Sequence, residues 1–116
     1  MLTFTVTHAE REGSGVCLRL AGELDLGAAG TLNAEIDRLT AAGERHLLLD
    51  LTELTFCDST GIAAFVRGDN LAVARGGWLR LCGATGRVDR VLRITGLSDV
   101  LRYQPDTVDP RSSSAR

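Results

Sequence analysis

Residues 47–61 read Leu-Leu-Leu-Asp-Leu-Thr-Glu-Leu-Thr-Phe-Cys-Asp-Ser-Thr-Gly. The first five are apolar except for Asp50, and so short a run is typical of a buried strand that begins at His46. A polar, turn-prone segment follows and ends in Asp58-Ser-Thr-Gly61. From Ile62 onward the apolar spacing approximates one face of a helix. The stretch therefore predicts a central strand, a short loop and a helix.

Ser59 falls where this predicted helix begins. A helix N-terminus presents backbone N–H groups without intrahelical partners and carries a partial positive charge. A small hydroxyl at that position either caps the helix or serves as a chemical handle. The local sequence leaves both interpretations open, and it offers Asp58 as a second candidate for the cap.

Length and composition indicate a single soluble domain. The chain has 116 residues, of which 44% are hydrophobic and 24% charged, with a formal net charge of −2. Such a balance does not favour nucleic acid or an anionic membrane as a direct partner. The three cysteines are far apart and form no Cys-x-x-Cys pair, which favours reduced thiols. Since the sequence shows neither a secretory signal nor a membrane-spanning run, we expect a cytoplasmic protein.

The first third of the chain predicts two strands and a helix. Apolar residues alternate with threonine over residues 3–7, which is typical of a strand. Residues 12–15 predict a hairpin turn, and a second strand follows over residues 16–21. Asp25 is the expected N-cap of a helix that continues to about Ala42.

After Ser59 the sequence predicts a less regular helix, interrupted at residues 68–70 and ended by the glycine pair at 76–77. A strand is expected over residues 78–82. Thr85 is then a candidate cap for a helix whose Val88, Val91 and Leu92 point inward. Its opposite side carries Arg87, Arg90 and Arg93, and we interpret that side as a solvated face rather than a nucleic-acid patch.

The last elements are short. We expect a turn at residues 97–101 and an edge strand at residues 102–104. The predicted order β-β-α-β-α-β-α-(β) gives an α/β domain over residues 1–104, with a mixed four- to five-stranded sheet and helices mainly on one face. Residues 105–116 contain few apolar side chains and are predicted to be a disordered tail.

Several segments together resemble the STAS domain, and most closely that of bacterial anti-sigma factor antagonists. They occur in that family's order and spacing from about residue 3 to residue 103: Gly22-Glu-Leu-Asp25, the strand at residues 46–51, Leu54-Thr-Phe-Cys-Asp-Ser-Thr-Gly61, Gly76-Gly77 and Ile94-Thr-Gly-Leu97.

The resemblance implies a switch centred on Ser59. In that family the corresponding serine is phosphorylated by the partner anti-sigma factor, which is itself a serine kinase. The unphosphorylated domain binds this partner and frees a sigma factor, and a serine phosphatase resets the cycle. No cofactor or metal site is expected, and the composition predicts neither direct contact with nucleic acid nor with a membrane.

We expect the partner to bind beside Ser59. Two loops, at Asp25 and at Asp58, each follow a strand end and precede a helix, so both should lie in one exposed patch. The predicted partner-binding residues are Asp25, Asp58, Ser59, Thr60 and Gly61. Thr60 stands where the family often has a second serine, and it adds another hydroxyl that could be modified.

Two other functions are weighed against this switch. An enzyme is not indicated, because Ser59 lacks a Gly-x-Ser-x-Gly context and a nearby histidine. A catalytic role for Cys57 is disfavoured because Asp58 opposes thiolate formation, and we expect Cys57 to pack as a small hydrophobe. A STAS scaffold or interaction subunit that is never phosphorylated, associated with a stressosome or a transporter, remains the alternative.

Overall fold

The computed structural model describes residues 4–9 and 15–103. Its elements, in chain order, are β1 (Phe4–Ala9), β2 (Val16–Leu24), α1 (Leu26–Ala41), β3 (His46–Cys57), α2 (Ser59–Ala74), β4 (Trp78–Cys82), α3 (Gly86–Ile94) and α4 (Leu97–Val100). The predicted hairpin turn falls largely on residues 12–14, and the predicted tail begins at residue 105. Both lie outside the described residues.

The described strands form one mixed sheet in the order β1-β2-β3-β4. β1 runs antiparallel to β2, whereas β2, β3 and β4 are mutually parallel. α1 and α2 are the crossovers that join these parallel strands, as a parallel pair requires. The predicted mixed α/β domain is confirmed.

The core lies against one face of the sheet. In β3, Leu47, Leu49 and Leu51 are fully buried, while the alternating Leu48 and Asp50 are only partly so. The helices cover that buried face by adding apolar side chains to the same cluster, among them Leu32, Ile36, Phe65, Val88 and Leu92. Four residues predicted to point inward from α1 are all buried: Ala28, Leu32, Ile36 and Leu39.

β3 is longer than the sequence predicted. We expected a strand over residues 46–51 and a turn-prone segment after it, but the strand continues to Cys57. Its second half buries Leu51, Leu54 and Cys57, which are three residues apart instead of two. Two register shifts in the pairing with β2 cause this spacing. A bulged strand hides the two-residue period by which a strand is recognised.

α2 is continuous, so the predicted interruption at residues 68–70 is wrong. Gly68 is buried where the helix approaches its neighbours, and an added Cβ would lie 2.6 Å from Leu79 Cδ1 and 3.0 Å from Ile36 Cδ1. Asp69 accepts hydrogen bonds from the Leu79 N–H (3.0 Å) and from Arg80 Nη1 (3.2 Å). Gly68 and Asp69, which the sequence suggested would interrupt the helix, are therefore the residues that pack and hydrogen-bond α2 against β4.

The C-terminal elements differ in detail from the prediction. The expected turn at residues 97–101 contains the one-turn helix α4. The expected edge strand is reduced to a single parallel bridge between Leu81 and Arg102, so the described part of the sheet has four strands. Thr85 does occupy the N-cap position of α3, but its side chain makes no capping hydrogen bond within the described residues.

Candidate functional site

Two aspartates cap the two crossover helices in the same way. Asp25 and Asp58 have nearly identical extended backbones, with φ of −111° and −106° and ψ of −170° for both. Oδ1 of Asp25 accepts the N–H of Ala28 at 3.0 Å. Oδ1 of Asp58 accepts the N–H groups of Thr60 (3.0 Å) and Gly61 (3.3 Å). Each carboxylate thus satisfies backbone donors that the first turn of a helix leaves open.

Both caps lie at the same end of the sheet. The last residues of the neighbouring parallel strands, Leu24 and Cys57, are paired. The N–H of Asp58 donates to the Leu24 carbonyl oxygen at 3.3 Å, so the β3–α2 loop is bonded to the end of β2. The two loops therefore share one end of the sheet, but of the residues predicted to form one exposed patch only Ser59 is exposed, while Asp25, Asp58 and Thr60 are half-buried.

Thr60 is bound to the Asp58 cap by its side chain as well as by its backbone. Its hydroxyl donates to Oδ1 of Asp58 at 2.5 Å, and the residue is half-buried. The hydrogen bond from this hydroxyl, together with those from the Gly61 and Thr60 N–H groups, lowers the pKa of the Asp58 carboxyl below its usual range. Asp58 is therefore ionised near neutral pH and serves as the acceptor of the whole cap.

Ser59 is exposed at the first position of α2. Its hydroxyl makes no hydrogen bond within the described part of the chain, whereas the neighbouring Thr60 hydroxyl is engaged. The interpretation of Ser59 as the helix cap is wrong, because Asp58 performs that role. The Ser59 hydroxyl is therefore exposed without a capping role.

Gly61 lies in the interior, two residues after the exposed Ser59. It is buried, and a Cβ at that position would lie 2.7 Å from Cys57 Sγ and 2.8 Å from Leu24 Cγ. Cys57 is itself only 4% exposed, and its burial, reinforced by the charge of Asp58, raises the pKa of its thiol to about 12. The absence of a side chain at Gly61 thus lets the first turn of α2 pack closely against Leu24 and Cys57.

Two further features adjoin the site and were not predicted. Leu26, the first residue of α1, is 75% exposed although it is large and apolar. An open groove of about 620 Å³ lies between the end of β3 and the start of α3. Its lining comprises Glu23, Thr52, Leu54, Thr55, Phe56, Thr85, Gly86 and Arg87. The exposed Leu26 could have been noticed in the sequence, because it is an apolar residue directly after the predicted Asp25 cap. The groove could not, because it is lined by the second half of β3, which the sequence did not predict as a strand.

Other sites receive no support within residues 4–9 and 15–103. No group of three or more histidine, cysteine, aspartate or glutamate side chains there is placed to hold a metal ion. His8 contacts Glu35 and Arg38 at the surface. None of the helices in this part of the chain combines the length and apolar character needed to cross a bilayer.

The family is established by comparison with known proteins. The family model of the STAS domain matches residues 6–114 of this chain. The chain therefore belongs to the STAS domain family, as the sequence resemblance implied.

The relatives within that family have regulatory names. The anti-sigma-B factor antagonist of Listeria monocytogenes is 30% identical over 103 residues, covering 89% of this chain and 90% of the relative. The solved structure of the anti-sigma factor antagonist SpoIIAA in its unphosphorylated form is similar in fold. It has a TM-score of 0.75 at 20% identity and covers 96% of this chain and 95% of that one. The Bacillus cell fate determinant SpoIIAA in its phosphorylated form has a TM-score of 0.68 at 20% identity, with coverage of 96% and 98%.

Proposed function

We propose that this chain is an anti-sigma factor antagonist switched by phosphorylation of Ser59. In this proposal the unphosphorylated chain binds an anti-sigma factor, which is also a serine kinase, and a sigma factor is released. A serine phosphatase removes the phosphoryl group and restores binding. The cycle takes place in the cytoplasm and requires no catalytic group of this chain.

The observation that carries the proposal is the contrast between adjacent hydroxyls. Ser59 is exposed and its hydroxyl makes no hydrogen bond among the described residues, while the Thr60 hydroxyl is bound to Asp58. A kinase must reach the hydroxyl and transfer a phosphoryl group to it, which requires an accessible oxygen. The names of the relatives supply the class of partner, since they include anti-sigma-B factor antagonists.

The position of Ser59 beside Asp58 at the start of α2 also accounts for how a phosphoryl group would block partner binding without unfolding the domain. The positive end of α2 stabilises an anion at Ser59, so the fold tolerates the modification. Asp58, however, already accepts the N–H groups of Thr60 and Gly61, leaving fewer donors for a phosphate than an uncapped helix would offer. Phosphorylation would add about −1.5 to −2 charges beside the ionised Asp58 carboxylate. Because few N–H donors are left to bind it, the phosphoryl group would face the solvent or the partner. Within a complementary interface such a charge is repelled and poorly solvated.

Asp25 and Asp58 border the proposed partner surface, and Thr60 lies at its margin. Because their Oδ1 atoms are used in capping, the carboxylates offer a partner chiefly their second oxygens. Gly61 is buried, so in this proposal it contributes by letting α2 approach Leu24 and Cys57 and not by touching the partner.

The test is a phosphotransfer reaction. The purified chain is incubated with Mg-ATP and the serine-kinase anti-sigma factors of its source organism, followed by intact mass measurement and peptide mapping. We expect one phosphoryl group, located on Ser59, and none on Ser59→Ala. Binding of the unmodified chain combined with no phosphorylation would instead identify a non-phosphorylated STAS scaffold. Absence of both binding and phosphorylation would contradict the proposed function.

A further inference from the structure

The outward face of α2 carries an uncharged row of side chains that starts at Ser59. With about 100° of rotation per residue, five residues fall within roughly 40° of one line along the helix. We call this row the α2 stripe; its members are Ser59, Ala63, Val66, Asn70 and Val73. All five are exposed, with Val66 at 40% and Val73 at 55%. Surface helices ordinarily place charged residues on the face that meets water.

The charged residues beside the α2 stripe point away from it in opposite directions. On one side, Arg67 pairs with Asp37 of α1 at 2.7 Å and contacts Asn33 at 3.4 Å. On the other side, Asp69 accepts hydrogen bonds from the Leu79 N–H and from Arg80. Each charge is thus used to attach α2 to a neighbouring element. The stripe between them is left without a charge.

We propose that the α2 stripe is a docking surface for the protein that reads Ser59, and that this partner presents an apolar, uncharged surface to it. This inference rests on the proposed function. Its support is continuity, because the stripe and the Ser59 hydroxyl belong to one helix face. A partner that covers Ser59 closely enough to be repelled by a phosphate there must also cover the adjoining turns of α2.

The size of a protein interface sets how far the contact extends. A standard interface buries about 800 Å² on each partner, equivalent to a disc roughly 16 Å in radius. At about 1.5 Å of rise per residue, Val66 lies about 10 Å along the axis from Ser59, and Val73 about 21 Å. Val66 therefore falls inside a footprint centred on Ser59, and Val73 falls at or beyond its margin. Binding should be sensitive to the first residue and much less so to the second.

The stripe also explains how one modification can terminate binding. Burial of valine and alanine side chains favours the complex through removal of apolar surface from water. A phosphoryl group on Ser59 introduces charge at one end of the same surface without altering the apolar residues. In the phosphorylated chain the apolar attraction of the α2 stripe is unchanged, and the electrostatic repulsion acts at Ser59 and Asp58. Substitutions in the stripe and at Ser59 can therefore vary the two contributions separately.

The test compares Val66→Asp with matched substitutions elsewhere. Val66→Thr has nearly the same shape and serves as a milder variant. Val73→Asp probes the distant end of the stripe. Ile94→Asp is the control, because Ile94 is a large apolar residue of α3 that is 77% exposed. Circular dichroism and thermal melts must match wild type in all four. The probe is each purified serine-kinase anti-sigma factor of the source organism, titrated by calorimetry against the full chain.

We expect Val66→Asp to weaken binding on the order of 30-fold or more, as an uncompensated charge in an interface does. Val66→Thr should weaken it by a smaller factor, and Val73→Asp and Ile94→Asp by about threefold at most. The rate of Ser59 phosphorylation at low substrate concentration should follow the same order.

Three outcomes would overturn the inference. Wild-type affinity in Val66→Asp overturns it while leaving the proposed function intact, and so does an equal loss in Ile94→Asp. Failure of the wild-type chain to bind any of the probes overturns both. Sedimentation velocity at the calorimetric concentration should show a monomer. A dimer that Val66→Asp dissociates would assign the stripe to a second copy of this chain instead.

Discussion

The Thr60 hydroxyl donates a 2.5 Å hydrogen bond to Oδ1 of Asp58, two residues earlier in the chain. The same oxygen accepts the N–H groups of Thr60 and Gly61, so Thr60 is held to the cap from both its backbone and its side chain. Ser59, located between these two partners in sequence, takes no part in the arrangement. Two adjacent hydroxyls thus have different environments and should differ in reactivity.

Thr60→Ala should leave phosphorylation of Ser59 intact. The substitution removes one of three donors to Asp58 without changing the exposed hydroxyl, so the modified site stays the same and stability falls by about 1 kcal/mol. Peptide mapping after reaction with the kinase, and urea unfolding of the purified variant, measure the two effects. Detection of phosphothreonine at position 60 in the wild-type chain would contradict this assignment, and Ser59→Ala provides the matched control.

Asp58→Ala should destabilise the domain by about 1 kcal/mol, within the usual range of 0.5–2 for loss of a helix cap. The effect should depend on pH because the folded state lowers the pKa of the Asp58 carboxyl. A lowered folded pKa contributes stability above the ordinary value of 3.8 and loses it as the pH falls through that value toward the folded one. The difference between wild type and Asp58→Ala in urea unfolding should therefore shrink below pH 4. Asp25→Ala, which removes a cap with one donor, should show a smaller loss.

Gly61→Ala should cost about 1–3 kcal/mol, because its Cβ would lie 2.8 Å from Leu24 Cγ in a packed region. Gly30→Ala is the matched control in α1, since nothing lies within 4 Å of its added Cβ. That change should stabilise the domain by up to about 1 kcal/mol through helix propensity. Chemical unfolding of both variants checks the pair. Equal effects would show that the close packing beneath Ser59 is not what restricts Gly61.

The sequence predicted the parallel crossovers and the Asp25 cap because these follow from local patterns. The length of β3 could not be predicted in the same way, since bulges against β2 place the buried Leu51, Leu54 and Cys57 three residues apart. The continuity of α2 through Gly68 depends on tertiary contacts with Ile36 and Leu79. A glycine that breaks an isolated helix is favourable where neighbouring side chains leave no space for a Cβ.

In the candidate site, too, the sequence located residues whose roles only the structure could assign. A serine at the start of a predicted helix could be located from sequence, but the role of its hydroxyl could not be determined. Asp58 and Ser59 were both credible caps, and the choice depends on which side chain reaches the N–H of Gly61. The structure assigns that contact to Asp58. The uncharged α2 stripe was equally hidden, because it requires knowing that Arg67 and Asp69 turn away.

Cys57 should not react with a thiol reagent in the folded protein. It is 4% exposed, and the pKa of its thiol is raised to about 12 by burial and by Asp58. At pH 8 only about one such thiol in ten thousand is ionised, and the thiolate is the reactive form. Mass mapping after brief labelling should find Cys57 unmodified, with full labelling in denaturant. Rapid modification of native Cys57 would show that the β3–α2 junction opens.

Ser59→Ala and Ser59→Asp should have similar stability and very different affinity for the anti-sigma factor. The alanine variant removes only an exposed hydroxyl that caps nothing, so it should fold and bind persistently in the presence of ATP. The aspartate variant should also fold, because a carboxylate is favoured at a helix N-terminus. It should nevertheless bind weakly, since a second acid beside the ionised Asp58 creates an uncompensated interfacial charge.

Such a charge costs on the order of 2–5 kcal/mol, or roughly 30-fold to several thousand-fold in affinity. The lower end is expected here, because a carboxylate carries less charge than a phosphoryl group. Thermal melts of the two variants should stay close to wild type while calorimetric affinities diverge. Unfolding of Ser59→Asp would make the residue structural, and equal binding by two folded variants would refute the switch.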